Sequence, residues 1–411
     1  MLTDLFTIIG ADGRMEALRT GDWLTRERVT AVVAISAICG IAMLLFLWIA
    51  RHGTVDYFGS PVGSDFTAFW NAGRIANAGD ASRAWDQRLL NDMIRHTHGV
   101  DYGAAWIYPP VFLLLAAPLA SLPYLSALFV WQALSFGALA VVLKAILKDS
   151  RATLIALASP LTPLVLANGQ NSFITAALLG GGLLLSERKP GIAGGLLGGL
   201  VYKPQLAIVF GPLWLFTRNW RALAGSIIAA LALVGLSIAI WGADCWPAWQ
   251  GSLRYGRYYM EQGAVGFYKS ASLFSMARLW GATVPIAYAV QAAGAIAGIA
   301  LIWTLRAAPP LVRAAATCAA AAISTPYLLD YDMAVIGLGS AFLYAEARKH
   351  GFRSFDRSAL AFIWIAPWIS RPAAEYARLP LGVTSLLLLT LLAWRRSPGV
   401  SASNSPKIVA A

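Results

Sequence analysis

The stretch VTAVVAISAICGIAMLLFLWIA, residues 29–50, carries no charged side chain over its whole length. A helix rises 1.5 Å per residue, so about 20 apolar residues cross a hydrocarbon core about 30 Å thick. Comparable uncharged runs follow one another from there to the C-terminus. The composition agrees, with 58% hydrophobic and only 13% charged residues and a mean hydropathy of +0.63. Soluble domains carry nearer a quarter charged residues. Strands of a membrane barrel would alternate apolar with polar residues over about ten positions, and these runs do not. The expected fold class is an all-α polytopic membrane protein.

The net charge of +12 raises nucleic acid as a partner. Lys and Arg instead sit in small groups between apolar runs, where the positive-inside rule accounts for them. The lipid bilayer is the expected partner, and nucleic acid is not. Cys39, Cys245 and Cys318 form no spaced pair, and Cys39 and Cys318 fall inside apolar runs, so buried thiols are expected. His96 and His98 are the only close histidine pair and make no zinc pattern. Neither a metal nor a cofactor is expected. The charged segment before residue 29 is too long for a signal peptide, and the run after it leads into bulky residues. It reads as an uncleaved first span.

If every basic connection faces the cytoplasm, an even number of crossings separates consecutive ones. Paired runs then fall at 152–167 and 172–186, 191–202 and 206–217, 222–241 and 284–305, 314–327 and 333–347, and 359–369 and 381–394. Parity leaves a single return crossing before Lys144, assigned to Tyr124–Leu147. The preceding stretch holds Pro109, Pro110, Pro118 and Pro123 and reads as broken or re-entrant, because proline removes backbone donors; the alternative is that it crosses and the charge rule fails at one loop. The sum is about twelve transmembrane helices with both termini inside. The expected organisation is a cytoplasmic segment 1–28, a single transmembrane domain 29–396 and a disordered cytoplasmic tail 397–411. Within the domain, 51–107 is a first outer loop with interfacial helices, and 242–283 is a second large outer loop.

This topology places acids, amides and aromatics together on the outer side. Phe66, Phe69, Ala72, Ile75 and Ala76 recur at helical spacing, which predicts a short interfacial amphipathic helix. Asp65 stands at its start, either as an N-cap or as a carboxylate aimed into a cavity. Lys203 interrupts an apolar stretch beside Tyr202, Pro204 and Gln205; it either snorkels to the interface or contacts a phosphate or sugar. Asn168-Gly169-Gln170-Asn171 is a polar turn with one amide more than a turn needs. Arg254, Arg257, Tyr258, Tyr259, Glu261, Tyr268 and Lys269 occupy a further outer loop, and 370–378 another. Asp330 and Asp332, after Thr325-Pro326-Tyr327, are helix caps or hydroxyl acceptors.

Five motifs in order carry a resemblance. They are Asp65-Phe66…Phe69-Trp70…Ala72-Gly73, Tyr108-Pro109-Pro110, Asn168-Gly169-Gln170-Asn171-Ser172, Tyr202-Lys203-Pro204-Gln205 and Pro326-Tyr327…Tyr331-Asp332. Their order and spacing resemble glycosyltransferase family 87, bacterial mannosyltransferases that use polyprenyl-phosphate mannose. The resemblance covers roughly residues 63–332. It implies a GT-C fold, a hexosyltransferase activity, a catalytic aspartate matching Asp65 and a lipid-linked sugar donor. Members of the family carry His or another polar residue after the Pro-Tyr turn, where this chain has Leu328-Leu329 before Asp330.

The expected reaction moves a sugar, mannose by the resemblance, from a polyprenyl-phosphate donor to a hydroxyl of a glycolipid or glycan acceptor. Asp65 is the expected general base, and a single displacement inverts the anomeric carbon. Donor phosphate and sugar contacts are expected from Lys203, Gln205, Gln170, Asn168, Asn171, Tyr108, Arg257 and Lys269. Acceptor contacts are expected from Asp330, Asp332 and Tyr327. The resemblance implies a bacterial cytoplasmic membrane with the site on its periplasmic or outer face. Two rivals remain: a transporter or flippase of lipid-linked sugars, and a polysaccharide polymerase or ligase with a pyrophosphate-linked donor. The second would use paired arginines such as Arg254 and Arg257.

Overall fold

Prolines and glycines divide the apolar runs into more and shorter helices than hydropathy suggests. A computed structural model describes residues 11–397, and among these the regular structure is helical, with isolated β-bridges only. The expected tail beyond residue 397 lies outside the described residues.

Among the described residues, four helices are long and apolar enough to cross a membrane: Arg26–Ile49, Tyr124–Leu147, Trp220–Trp241 and Val284–Thr304. A fifth is reached if Ser150–Leu157 and Leu161–Asn168, bent by 53° at their junction, count as one span. The count of about twelve is therefore not met on length and composition. The reason is local. The 152–167 run breaks before Pro160, and the 206–217 run divides into Pro204–Ala207 and Phe210–Phe216. Other apolar helices, such as Ser172–Leu185 and Pro310–Ser324, have 10–17 residues.

The long helices turn apolar faces outward. Trp220–Trp241 buries only Ala222 and Ser237, and Arg26–Ile49 only Ser36 and Gly40. Ile35, Ile38, Ile41, Ile228 and Leu231 are exposed. Such surface is foreign to a water-soluble monomer and matches hydrocarbon. Cys39 belongs to this face, so it is exposed where a buried thiol was expected; Cys245 and Cys318 are buried. Its helix is apolar all round, and apolar sequence alone does not tell a lipid-facing from a core-facing position.

Glycine sets the closest helix pair. A Cβ on Gly194 would lie 2.0 Å from the Ala222 carbonyl oxygen, and one on Gly198 2.4 Å from that of Ser226. From the facing helix, a Cβ on Gly225 would lie 2.4 Å from the Gly191 carbonyl oxygen. Small residues let two backbones touch in this way. Gly195, on the same helix, has open space around its Cβ position. Opposite signs are therefore expected. Gly195→Ala should raise the thermal stability of the detergent-solubilised protein, since Ala is about 1 kcal/mol the better helix former. Gly194→Ala should lower it, because overpacking costs roughly 1–3 kcal/mol. Equal melting shifts for both variants would contradict this packing.

The 51–107 segment differs from the expected interfacial helix. Helix Phe66–Asn77 buries ten of its twelve residues. A Cβ on Gly73 would stand 2.3 Å from the Ala116 carbonyl oxygen, so this helix lies directly on Leu113–Leu119. Trp70 donates from Nε1 to the Leu122 carbonyl at 3.0 Å. The apolar spacing was legible, but the polar face it implied is covered by protein. The proline-rich stretch forms a 3-10 turn, Pro110–Phe112, and a seven-residue helix, Leu113–Leu119. Seven residues reach only about 10 Å, and this piece packs on the Phe66–Asn77 helix.

The 370–378 connection is also not a loop. Helix Asp356–Ala377 continues through Pro367 and Pro372 and ends where Arg378 turns left-handed at φ 54°. Each proline removes one internal bond and leaves the neighbouring turns intact. This places Arg371 on a helix.

Candidate active site

The Asn168–Asn171 turn builds one wall. Gly169 closes helix Leu161–Asn168 at φ +68°, and a Cβ there would meet the Phe66 Cβ at 2.6 Å. Only glycine allows both the left-handed turn and the contact. The turn lies against the start of the Phe66–Asn77 helix. The Asp65 amide donates to the Asn168 carbonyl at 2.9 Å. The Ser64 hydroxyl donates to Asn168 Oδ1 at 3.0 Å, and Trp131 Nε1 to the Gly169 carbonyl at 3.1 Å.

Asp65 occupies the N-cap position but makes no side-chain capping bond. Its Oδ2 instead accepts from Gln170 Nε2 at 2.7 Å. The capping alternative is thereby set aside. The side chain remains partly accessible yet lies deep among protein atoms. Burial pushes its carboxyl up to about 6; the Gln170 bond pulls the other way, Asp330 raises it further, and Arg371 and Lys269 lower it. Desolvation dominates because the charged form loses water.

Two ion pairs stand near it, one wholly buried and one whose arginine is partly exposed. Lys203 Nζ donates to Asp332 Oδ1 at 2.6 Å, with side-chain exposures of 3% and 5%. Ser172 donates to the same oxygen at 3.3 Å. Lys203 thus neither snorkels nor stands unpaired. Arg371 grips Asp330, donating from Nη2 to Oδ1 at 3.1 Å and from Nε to Oδ2. The Tyr331 amide donates to Asp330 at 2.8 Å. The Ser270–Leu329 bridge and the bond from the Ala271 amide to the Leu328 carbonyl, at 2.7 Å, bring in the segment carrying Lys269. Lys269 makes no ion pair among the described residues; its ammonium stands 5.6 Å from the Tyr268 ring.

The remaining sequence candidates sort clearly. Tyr108 stacks on Phe112 with ring centroids 4.6 Å apart, and Tyr327 and Tyr331 lie within electrostatic reach of Asp65. Asn171 is fully buried, and neither its Oδ1 nor its Nδ2 has a hydrogen-bond partner. The Tyr108 hydroxyl is near enough to feel that amide without meeting hydrogen-bond geometry. An unpartnered buried amide is uncommon and suits a ligand contact. Gln205 is half-buried, beside Lys203 at the start of helix Pro204–Ala207.

Arg257 does not join the cluster. It projects from helix Cys245–Gln262, largely exposed, and pairs with Glu261 at 2.7 Å. Arg371 joins it unforeseen. One signal could have found it: a lone arginine after the uncharged run 358–370, since an isolated charge in an apolar helix commonly marks function. The cluster holds three carboxylates (Asp65, Asp330, Asp332) and three cations (Lys203, Lys269, Arg371). An incoming phosphate would therefore meet cations whose charge is already balanced in part.

Neither the curated proteins nor the solved structures include a match to the chain. A protein-family model described as glycosyltransferase family 87 matches residues 106–329, more than half of the 411 residues. The match spans Tyr108, the Asn168–Asn171 turn, Lys203 and Tyr327, while Asp65, Asp330 and Arg371 lie outside it and reach it through the fold. With its apolar helices, the chain is a multi-pass membrane glycosyltransferase, and it belongs to glycosyltransferase family 87.

Proposed function

We propose that the chain transfers a hexosyl unit, mannose by family resemblance, from a polyprenyl-phosphate donor to an acceptor hydroxyl, with inversion and Asp65 as general base. The observation that carries this reading is the Asp65 carboxylate: bound to Gln170, poised near neutrality by burial and ringed by groups from distant parts of the chain. The acceptor oxygen attacks the anomeric carbon as the bond from that carbon to phosphate oxygen breaks. The acceptor proton passes to Asp65, and the lipid phosphate leaves with one more negative charge. A β-linked donor gives an α-linked product.

Cations that feel the Asp65 carboxylate are placed to balance the departing phosphate. Lys269 and Arg371 fit that role best; Lys203 lies further off, paired with Asp332, which Tyr108 and Tyr327 feel together with Asp65. The Asn171 amide and Tyr108 suit the donor sugar, and Asp330 and Tyr327 the acceptor side. The family implies a GT-C membrane fold. The shorter apolar helices would then complete the crossings around the spans, with the site on the extracytoplasmic face of a bacterial cytoplasmic membrane. A pyrophosphate-linked donor is less well served, because Arg254 and Arg257 are exposed on the outer helix.

The test supplies membranes containing the chain with labelled polyprenyl-phosphate mannose, and in parallel with a pyrophosphate-linked sugar. Label in an α-linked product from the monophosphate donor alone is the expected result. Retained anomeric configuration would refute single displacement, and movement of donor across the bilayer without product would favour a flippase.

A further inference from the structure

His98 is a buried histidine that the proposed reaction leaves unused. It is the last residue of helix Gln87–His98 and is only 8% exposed. Both ring nitrogens are engaged: Nε2 with the Thr67 hydroxyl at 2.7 Å and Nδ1 with the Thr54 hydroxyl at 2.8 Å. The ring meets Tyr124 edge-to-face with centroids 4.6 Å apart. Tyr124 in turn donates its hydroxyl to the Val62 carbonyl at 2.7 Å. Thr67 stands two residues after Asp65, in the first turn of its helix. Asn71 Nδ2 donates to the Thr67 hydroxyl at 3.1 Å and to the Thr67 carbonyl at 2.9 Å. Thr97 holds the other end of Asn71 at 2.8 Å.

We infer that His98 is a positioning residue, which fixes Thr67 and thereby the first turn of the helix that presents Asp65. The inference rests on the general-base reading above. Thr67 receives a hydrogen bond from Asn71, so its own proton is available to Nε2, and Nδ1 carries the ring proton toward Thr54. Burial pushes the imidazole down to about 4, so the ring stays neutral through the physiological range and keeps one donor and one acceptor. Four segments meet at this ring: the 52–62 turn, the end of the Gln87–His98 helix, the start of the Asp65 helix and the start of helix Tyr124–Leu147. Loosening the start of the Asp65 helix would expose the Asp65 carboxyl further to water and displace it from Gln170. The charged groups that also face Asp65 are Asp330, Arg371 and Lys269, and its phenolic neighbours are Tyr102, Tyr108, Tyr124, Tyr327 and Tyr331. Tyr124 links the two groups, because it also meets the His98 ring.

Two amide variants separate the ring's contacts. In His98→Gln the amide lies near the place of Nε2 and can still serve Thr67; in His98→Asn it lies near the place of Nδ1 and serves only Thr54. Full-length variants in membranes are assayed for transfer across pH beside Asp65→Asn, each normalised to folded protein. Misplacement by about 1 Å can slow a reaction roughly a hundredfold. His98→Asn and His98→Ala are expected to lose kcat by tenfold to a hundredfold with donor KM changed by less than about twofold. His98→Gln should retain most of the rate. In His98→Ala the acid limb should move below about 6, toward an ordinary carboxylate. Equal kcat for the Gln and Asn variants, or an unmoved acid limb, would overturn the positioning role.

Disulfide formation in Ser64→Cys/Asn168→Cys gives a readout independent of catalysis. The two side chains touch at 3.0 Å, and adding His98→Asn should slow their oxidation. Unchanged oxidation counts against positioning. Wild-type transfer by Asp65→Asn overturns the general-base reading instead.

Discussion

Asp65→Asn should lower kcat by about 10²–10⁴-fold, the usual contribution of a general base, while making the folded protein more stable near pH 7. The two effects share one cause. Burial holds the carboxyl up to about 6 against an ordinary 3.8, so between those values the folded state keeps a proton that the unfolded state has lost. Stability therefore falls as pH rises from about 4 through 6, and the full penalty applies above that. Roughly two pK units correspond to at most about 3 kcal/mol, less here because the side chain is partly accessible. Asn cannot ionise, so the variant should melt higher than wild type at pH 7.5 and equally near pH 4. Wild-type activity should fall on the acid side with an apparent pKa near 6, where the base becomes protonated. A melting difference that is the same at both pH values would sink the stability argument. Loss of transfer together with loss of stability would point to a structural role, since active-site groups commonly trade stability for function.

The second large effect concerns Lys203 and Asp332. Their charges meet at 2.6 Å with almost no exposure, and removing one leaves the other buried and uncompensated. Lys203→Met and Asp332→Asn should each destabilise by about 3–5 kcal/mol, read as loss of folded yield and a lower melting temperature. The double variant should recover much of that loss, because it leaves no buried charge. Such non-additivity is what a direct contact produces. Single variants as stable as wild type, or a double variant as unstable as the sum of both, would show that the pair is not coupled. Recovery of folding in the double variant also permits a clean assay of whether these groups serve the donor.

Much of the site could be found from sequence because its parts lie in short local motifs. A polar turn between apolar runs, a lysine inside one and an aspartate before a helix each stand out against an uncharged background. What they touch was not legible. Asp65 as cap or as base depends on where its carboxylate points, and only the approach of Gln170, 105 positions away, answers that. Lys203 as snorkelling cation or ligand contact depends on Asp332, 129 positions away. Arg371 was assigned to the connection between the 359–369 and 381–394 runs; the helix in fact continues past it, through Pro367 and Pro372.

Hydropathy by itself determined that this chain is a helical membrane protein, because uncharged runs of membrane length need no long-range information. Motif order by itself determined the family resemblance, through the spacing of residues along one chain. The burial of the Phe66–Asn77 helix and the exposure of Cys39 were decided only by tertiary structure. Each depends on which neighbour covers a given face, and apolar sequence is equally content against lipid or protein. The carboxylate at Asp65 combines the two levels. Its position is written locally, while its raised pKa, its Gln170 contact and its company of ion pairs exist only where distant segments meet.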